Sequence, residues 1–109
     1  MDRDKIEALY VLKHIFNTKS IIKRRGLFNS LGKKHLLLIA EILVNVLAGN
    51  LELEKKDKET LKKHKRLIRL LSNKSTGYKV RRNLLIKFPT IVTKIFRLLL
   101  PMVYAIFTM

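Results

Sequence analysis

Apolar and polar residues alternate with a helical period along most of this chain. From Asp2 to about Phe16, apolar side chains recur at steps of three and four residues, which predicts an amphipathic helix. This stripe comprises Ile6, Leu9, Tyr10, Leu12 and Phe16. The sequence "NTKS" at 17–20 then interrupts the pattern. Residues 21–32 contain two glycines and the turn-favouring pair Asn29-Ser30, so they predict a linker or a short helix.

The segment "KKHLLLIAEILVNVLAGN", at 33–50, gives the strongest helical signal. Apolar residues surround most of its circumference, and Glu41 and Asn45 share the one polar stripe. A helix that is apolar on most sides is buried on most sides, so we expect the centre of a bundle or a dimer interface. A membrane span is not expected, because the apolar run is about twelve residues and a span needs about 20. Gly49-Asn50 predicts a left-handed stop.

Two basic helices are predicted to follow a polar connection. The first covers about 55–73 and turns Leu61, Leu67, Ile68 and Leu71 inward. After a turn at 72–77, the second covers 78–88 and places Val80, Leu84 and Leu85 opposite Lys79, Arg81 and Arg82. Pro89 is expected to end it, because proline lacks a backbone donor and disfavours helix in the preceding residue.

The last segment, "TIVTKIFRLLLPMVYAIFTM" at 90–109, is mostly apolar, with Lys94 and Arg97 as its only charges. Three interpretations compete: a core helix of the bundle, a membrane-active or anchoring tail, and an oligomer interface. The side chains that would contact a membrane or a partner are Leu98, Leu99, Leu100, Met102, Val103, Tyr104, Ile106 and Phe107.

Together these patterns predict an all-α protein, a small bundle of about four to five helices with a hydrophobic C-terminal helix. The length of 109 residues allows one domain. Within it we distinguish an N-terminal helix and linker at 1–32, a basic helical region at 33–89 and the hydrophobic helix at 90–109.

The charge is large and unevenly placed. The net charge is +16, and all eight acids lie in the first 59 residues, where twelve Lys and Arg leave a net of +4. Residues 60–109 carry the other twelve Lys and Arg and no acid, a net of +12. Such a field attracts nucleic acid or anionic lipid.

The cations at 62–82 are the candidate nucleic-acid contacts, with the solvated face of a packed helix as the alternative. Lys and Arg bind phosphates without reading base sequence, because neutralisation releases counterions. Few residues suited to base edges accompany them, and the chain has no Gln, so we expect non-specific backbone binding. The predicted contacts are Lys62, Lys63, Lys65, Arg66, Arg69, Lys74, Lys79, Arg81 and Arg82.

No pattern for catalysis or metal binding emerges. The chain has no Cys and no recognisable catalytic motif, and its three histidines lie far apart. We therefore expect no catalytic residue, no metal and no cofactor. Glu41, alone in an apolar helix, is expected to pair with a Lys or Arg of the next helix, because a buried charge is rarely left unpaired.

Four stretches carry a family resemblance: "EILVNVLAGNLEL", "LKKHKRLIRLLSNK", "YKVRRNLLIKFP" and "LLLPMVYAI". They resemble small basic proteins encoded by Polinton (Maverick) elements and adintovirus-type DNA viruses, which are similar in turn to the basic core proteins of adenoviruses. The resemblance spans about 36–107. It departs at 86–89, where Ile-Lys-Phe-Pro stands in place of the glycine-rich joint that precedes the tail in the family.

The resemblance implies a virion component that packages DNA or assists membrane passage, located in the virion or the host nucleus.

The charge, the apolar segments and this resemblance together give three hypotheses for the function. The first is non-specific binding of the nucleic-acid backbone. The second is a membrane-active or membrane-associated protein that uses the C-terminal helix and the basic segment on an anionic membrane. The third is a partner-binding protein or homo-oligomer that uses residues 33–50.

Overall fold

The structure, a computed structural model, describes residues 3–73 and 75–107, and within them the side chains up to Val103 except that of Asp4. The described part contains seven α-helices and no strand, which confirms the all-α prediction. The helices are α1 (Arg3–Asn17), α2 (Ile21–Asn29), α3 (Lys33–Leu47), α4 (Lys55–Lys63), α5 (Lys65–Ser72), α6 (Tyr78–Lys87) and α7 (Pro89–Phe107). The predicted number of four to five helices is too low.

Two local features account for the difference. Residues 21–29 form a helix because the hydroxyl of Ser20 accepts the Lys23 N–H at 3.3 Å and so caps its start. The buried Phe28 then fixes this helix on the core. The single helix expected at 55–73 is divided at His64, whose φ of −112° and ψ of 21° leave the helical range. The His64 N–H bonds the Leu61 carbonyl, which tightens the end of α4 into a turn.

The stop after α3 has the predicted left-handed form. Gly49 has a φ of +75°, which glycine adopts without a steric penalty. The Gly49 N–H bonds the Val46 carbonyl and the Asn50 N–H bonds the Asn45 carbonyl, the two hydrogen bonds of a Schellman motif. The chain therefore reverses at this point and returns along α4 and α5.

Pro89 ends one helix and begins the next. α6 stops at Lys87, as expected, and α7 starts at Pro89 itself. The N–H that proline lacks is one that the first turn of a helix leaves unpaired, so proline is well tolerated there.

One core serves all three sequence regions. Phe16 of α1 lies 5.6 Å from Phe28 of α2 and 4.7 Å from Phe96 of α7, measured between ring centroids, and the Phe96 ring is parallel to it within 3°. Leu43 of α3 and Leu85 of α6 are also fully buried. The helix α3 contacts α1, α5 and α6, so it is the centre of the bundle.

The polar face of α3 pairs with α1. Lys5 Nζ lies 2.8 Å from Glu41 Oε1. The prediction that a Lys or Arg pairs with Glu41 is therefore correct in residue type, but the partner lies on α1 and not on the next helix. Both side chains are 42% exposed, so the pair contributes no more than about 1 kcal/mol.

The orientation of α6 differs from the expectation. Val80 is 53% exposed, whereas Arg81 is only 4% exposed and faces the core beside Leu85. A ten-residue helix with five apolar and four basic residues has no single apolar stripe, so the contacts with α2, α3 and α5 decide which side is buried.

We predict that Phe16→Ala lowers the free energy of unfolding by about 4 kcal/mol, because it removes a ring packed between two others and leaves a cavity. Urea unfolding followed by circular dichroism measures this. Ile22→Ala, at a side chain that is 82% exposed, is the control and should stay within about 0.5 kcal/mol. Equal losses in both variants would contradict the packing described here.

We also predict a pH dependence that arises from His35. Burial lowers the pKa of His35 below 6.5, and repulsion from Lys34 lowers it further. Its neutral Nδ1 accepts the Gly32 N–H at 3.2 Å. Below pH 6.5 the unfolded chain binds this proton more readily than the folded chain does. The stabilisation is therefore complete above pH 6.5 and is lost as the pH falls through the lowered pKa.

The measurement compares unfolding free energies between about pH 8 and pH 5. In His35→Gln the decrease toward low pH should be smaller than in the natural chain. His14→Gln, at an exposed histidine, should keep the full decrease. A decrease that is unchanged in His35→Gln would rule out this origin.

Candidate nucleic-acid interface

Three lysines converge on one groove beside α4 and α5. Lys58, Lys62 and Lys65 follow one another at steps of four and three, which places them on one side of consecutive helical turns. They line a groove of about 260 Å³, which we call the lysine groove. Its other lining residues are apolar and come from α3, α4, α5 and the connection before α4: Val46, Leu47, Leu53, Leu61 and Ile68.

Three more cations of the same helices are exposed. Lys63, Arg66 and Arg69 are all on the solvent side, whereas Leu61 and Ile68 are buried. The predicted division of this segment into a buried apolar side and an exposed basic side is therefore confirmed. All five predicted contact residues of α4 and α5 are exposed.

Among the described residues, these cations form no ion pair with a carboxylate. Two ion pairs join described residues, Arg3 with Glu7 and Lys5 with Glu41, and neither involves α4 or α5. The N–H donors of the lysine groove therefore remain available for an anionic ligand.

Lys58 belongs to the groove although the sequence prediction omitted it. It stands between Asp57 and Glu59, and this mixed-charge setting hides it in a count of charges along the chain. The spacing of four residues to Lys62 is the signal that identifies it, because residues four apart are neighbours on a helix.

Arg81 has a structural role and is removed from the candidate interface. Its Nε donates to the Leu71 carbonyl at 3.1 Å, and its Nη2 donates to the Asn73 carbonyl at 2.7 Å. The last carbonyls of a helix have no intrahelical donor and carry a partial negative charge. Arg81 thus satisfies the end of α5 and is too deeply buried to reach a phosphate.

Of the remaining predicted contacts, one has a structural role and another is exposed on the surface. Arg82 is half-buried, and its Nη2 donates to the Leu31 carbonyl at 2.9 Å, which ties α6 to the connection between α2 and α3. Lys79 is exposed on α6. Lys74 lies outside the described residues.

The C-terminal helix contributes to the core. Leu99, Leu100 and Val103 are buried, and Leu98 and Met102 are half-buried. The side chains of Tyr104, Ile106 and Phe107 lie outside those described. Of the three interpretations of this segment, the core helix fits the described side chains. Within residues 3–73 and 75–107, no helix combines the length and the apolar character that crossing a bilayer demands.

The described residues offer no cluster suited to a metal ion, meaning three or more His, Cys, Asp or Glu side chains in reach of one point.

We predict that Arg81→Met lowers the free energy of unfolding by about 2 kcal/mol, because two carbonyls lose their buried donor. Chemical denaturation measures this. Lys79→Met, an equal change of charge at an exposed position of the same helix, is the matched control and should leave the midpoint unchanged. Equal midpoints for the two variants would show that the Arg81 hydrogen bonds contribute nothing.

Comparison of the chain with protein-family models, with curated proteins and with solved structures gave no match.

Proposed function

We propose that this protein binds the phosphate backbone of nucleic acid through the exposed cations of α4 and α5, without sequence preference. The observation that carries the proposal is the lysine groove, in which Lys58, Lys62 and Lys65 converge and no carboxylate contributes to the lining. Arg66, Arg69 and Lys63 extend this positive surface along the same helices.

The expected mode of binding follows from the side chains. Each lysine is a compact charge on a flexible stem, which suits phosphates at varied positions and does not select a base. Each phosphate that is neutralised releases counterions, so the affinity depends steeply on salt. A net charge of +16 on a chain of this length adds long-range attraction.

From the resemblance to Polinton-type proteins, we propose that the protein acts in the core of a virion or mobile element, where it condenses DNA. A protein that coats DNA of any sequence needs backbone contacts and no base readout, and the α4–α5 surface is of that kind.

The alternative, a membrane-active protein, receives less support. It assigns insertion to the C-terminal helix, but Leu99, Leu100 and Val103 of that helix are packed in the core. Insertion would require those side chains to leave the core. Liposome binding therefore serves as a second arm of the test below.

We predict that the full chain binds two duplexes of equal length and unrelated sequence with equal affinity. Fluorescence anisotropy over a salt series of about 50 to 500 mM should show a linear fall of log K against log salt. The triple variant Lys62→Gln, Lys65→Gln, Arg69→Gln should bind more weakly. Its salt slope should be smaller by about one unit for each phosphate that the variant no longer neutralises.

A second triple variant, Lys19→Gln, Arg25→Gln, Lys94→Gln, removes the same number of charges at exposed positions outside the lysine groove. It should keep most of the affinity and the original slope. Equal losses in the two variants would mean that net charge alone binds DNA. Salt-independent binding, or binding only to acidic liposomes, would overturn the proposal.

A further inference from the structure

An apolar stripe runs along the solvent side of α3. Leu37, Val44 and Leu47 are 47%, 43% and 43% exposed, and Ala40 lies between them. These four residues follow at steps of three, four and three, so they lie on one face of the helix. Leu37 and Leu47 are ten helical rises apart, so the stripe is about 15 Å long. Three half-exposed large side chains in one row are unusual for a helix at the centre of a bundle.

This stripe borders two separate cavities, and α5 contributes lining residues to both of them. At one end a cavity of about 720 Å³ is lined by Leu37, Ala40 and Val44 of α3, by Ser72 of α5 and by Tyr78. At the other end lies the lysine groove, which Leu47 of α3 and Lys65 of α5 line. Lys65 and Ser72 are seven residues apart, two turns on the same side of α5. We call the whole feature the α3–α5 groove.

Cations stand at both ends of the α3–α5 groove. Lys58, Lys62 and Lys65 surround one end. At the other end the Lys33 Nζ lies 5.0 Å from the centre of the Tyr78 ring, which lines the cavity. The only carboxylate among the described lining residues is Glu41, and Lys5 is paired with it. The groove is thus apolar along its middle and positive at its ends.

A second copy of the chain does not fit this pattern. It would bring another charge of +16, and its own groove offers lysines with no unpaired carboxylate among the described residues that line it. A partner that covers the apolar stripe must supply negative charge at the ends.

We propose that the α3–α5 groove binds an amphipathic helix of another protein, with an apolar stripe about three turns long and Asp or Glu flanking it. Helices that dock in grooves use apolar residues at steps of three and four as anchors, and the stripe offers a complementary row. The carboxylates of such a helix pair with the lysines of the lysine groove, which fixes its direction and its position along α3.

The proposal has a regulatory consequence, which rests on the proposed function. Because Lys58, Lys62 and Lys65 contact both ligands, the acidic helix and nucleic acid compete for the same cations. Binding of one therefore lowers the apparent affinity for the other.

The test uses three labelled synthetic peptides of about eighteen residues, which is five helical turns. The first has leucines at steps of three and four on one face and glutamates elsewhere. The second has the same composition with the leucines distributed around the helix. The third keeps the leucine stripe and carries glutamines for glutamates. Fluorescence anisotropy with the full chain at constant salt measures each affinity.

We expect the first peptide to bind at least about tenfold more tightly than either of the others. Val44→Glu should weaken it by about tenfold or more, and Leu37→Gln, a milder change at the same end, should weaken it less. Ile22→Glu, at an apolar side chain that is 82% exposed on α2, is the matched control and should have no effect.

Equal binding of the first and second peptides would overturn the proposal, because charge alone would then explain it. Equal binding of the first and third would overturn the acidic requirement. Adding unlabelled duplex tests the competition. If the peptide binds as expected and the duplex binds nowhere, the docking site stands and the nucleic-acid function fails. If the duplex binds and the peptide does not, the nucleic-acid function stands and the docking site fails.

Discussion

The packing of Phe16 against Phe28 and Phe96 holds α1, α2 and α7 on one core. In a protein of 109 residues the apolar surface available for burial is small, so each element must contribute to it. These ring contacts join α1, α2 and α7, and the Arg97 Nε donates a hydrogen bond to the Phe16 carbonyl at 2.8 Å. Because α1 and α7 are held together in this way, α7 contributes to the core, and α4 and α5 expose their basic side to solvent.

Three arginines have a structural role that the lysines of the lysine groove do not share. Arg81, Arg82 and Arg97 each direct guanidinium N–H groups to backbone carbonyls of other elements. The guanidinium is planar, offers several donors and is less strongly hydrated than an ammonium group, so it can be buried against carbonyls at lower cost. The lysines of the lysine groove are exposed. A total charge of +16 therefore overstates the charge available to a ligand.

The central helix connects the two binding surfaces that we propose. α3 is buried on the sides that contact α1, α5 and α6, yet it exposes Leu37, Val44 and Leu47. The row of these side chains reaches the lysine groove at Leu47. An apolar row that leads into a cluster of cations is the surface that we propose for both ligands: nucleic acid would contact only its cations, and an acidic helix would contact the cations and the apolar row.

The sequence alone determined the helical class, the presence of a partly buried apolar helix at 33–47 and the stop at Gly49, because these depend on local periodicity and on one backbone conformation. It also located the basic segment, because the leucines of 61–71 leave only one side for solvent. Tertiary contacts decided the rest. Val80 is exposed and Arg81 is buried, the reverse of the prediction. The reason is that α6 has no dominant apolar stripe, so the helices packed against it determine which side is buried. Between the linker and the short helix expected after residue 20, the Ser20 cap and the burial of Phe28 favoured the helix. The apolar C-terminal segment became a core helix because Leu99, Leu100 and Val103 are buried. No sequence pattern predicts the grooves, because they form only where separate helices meet.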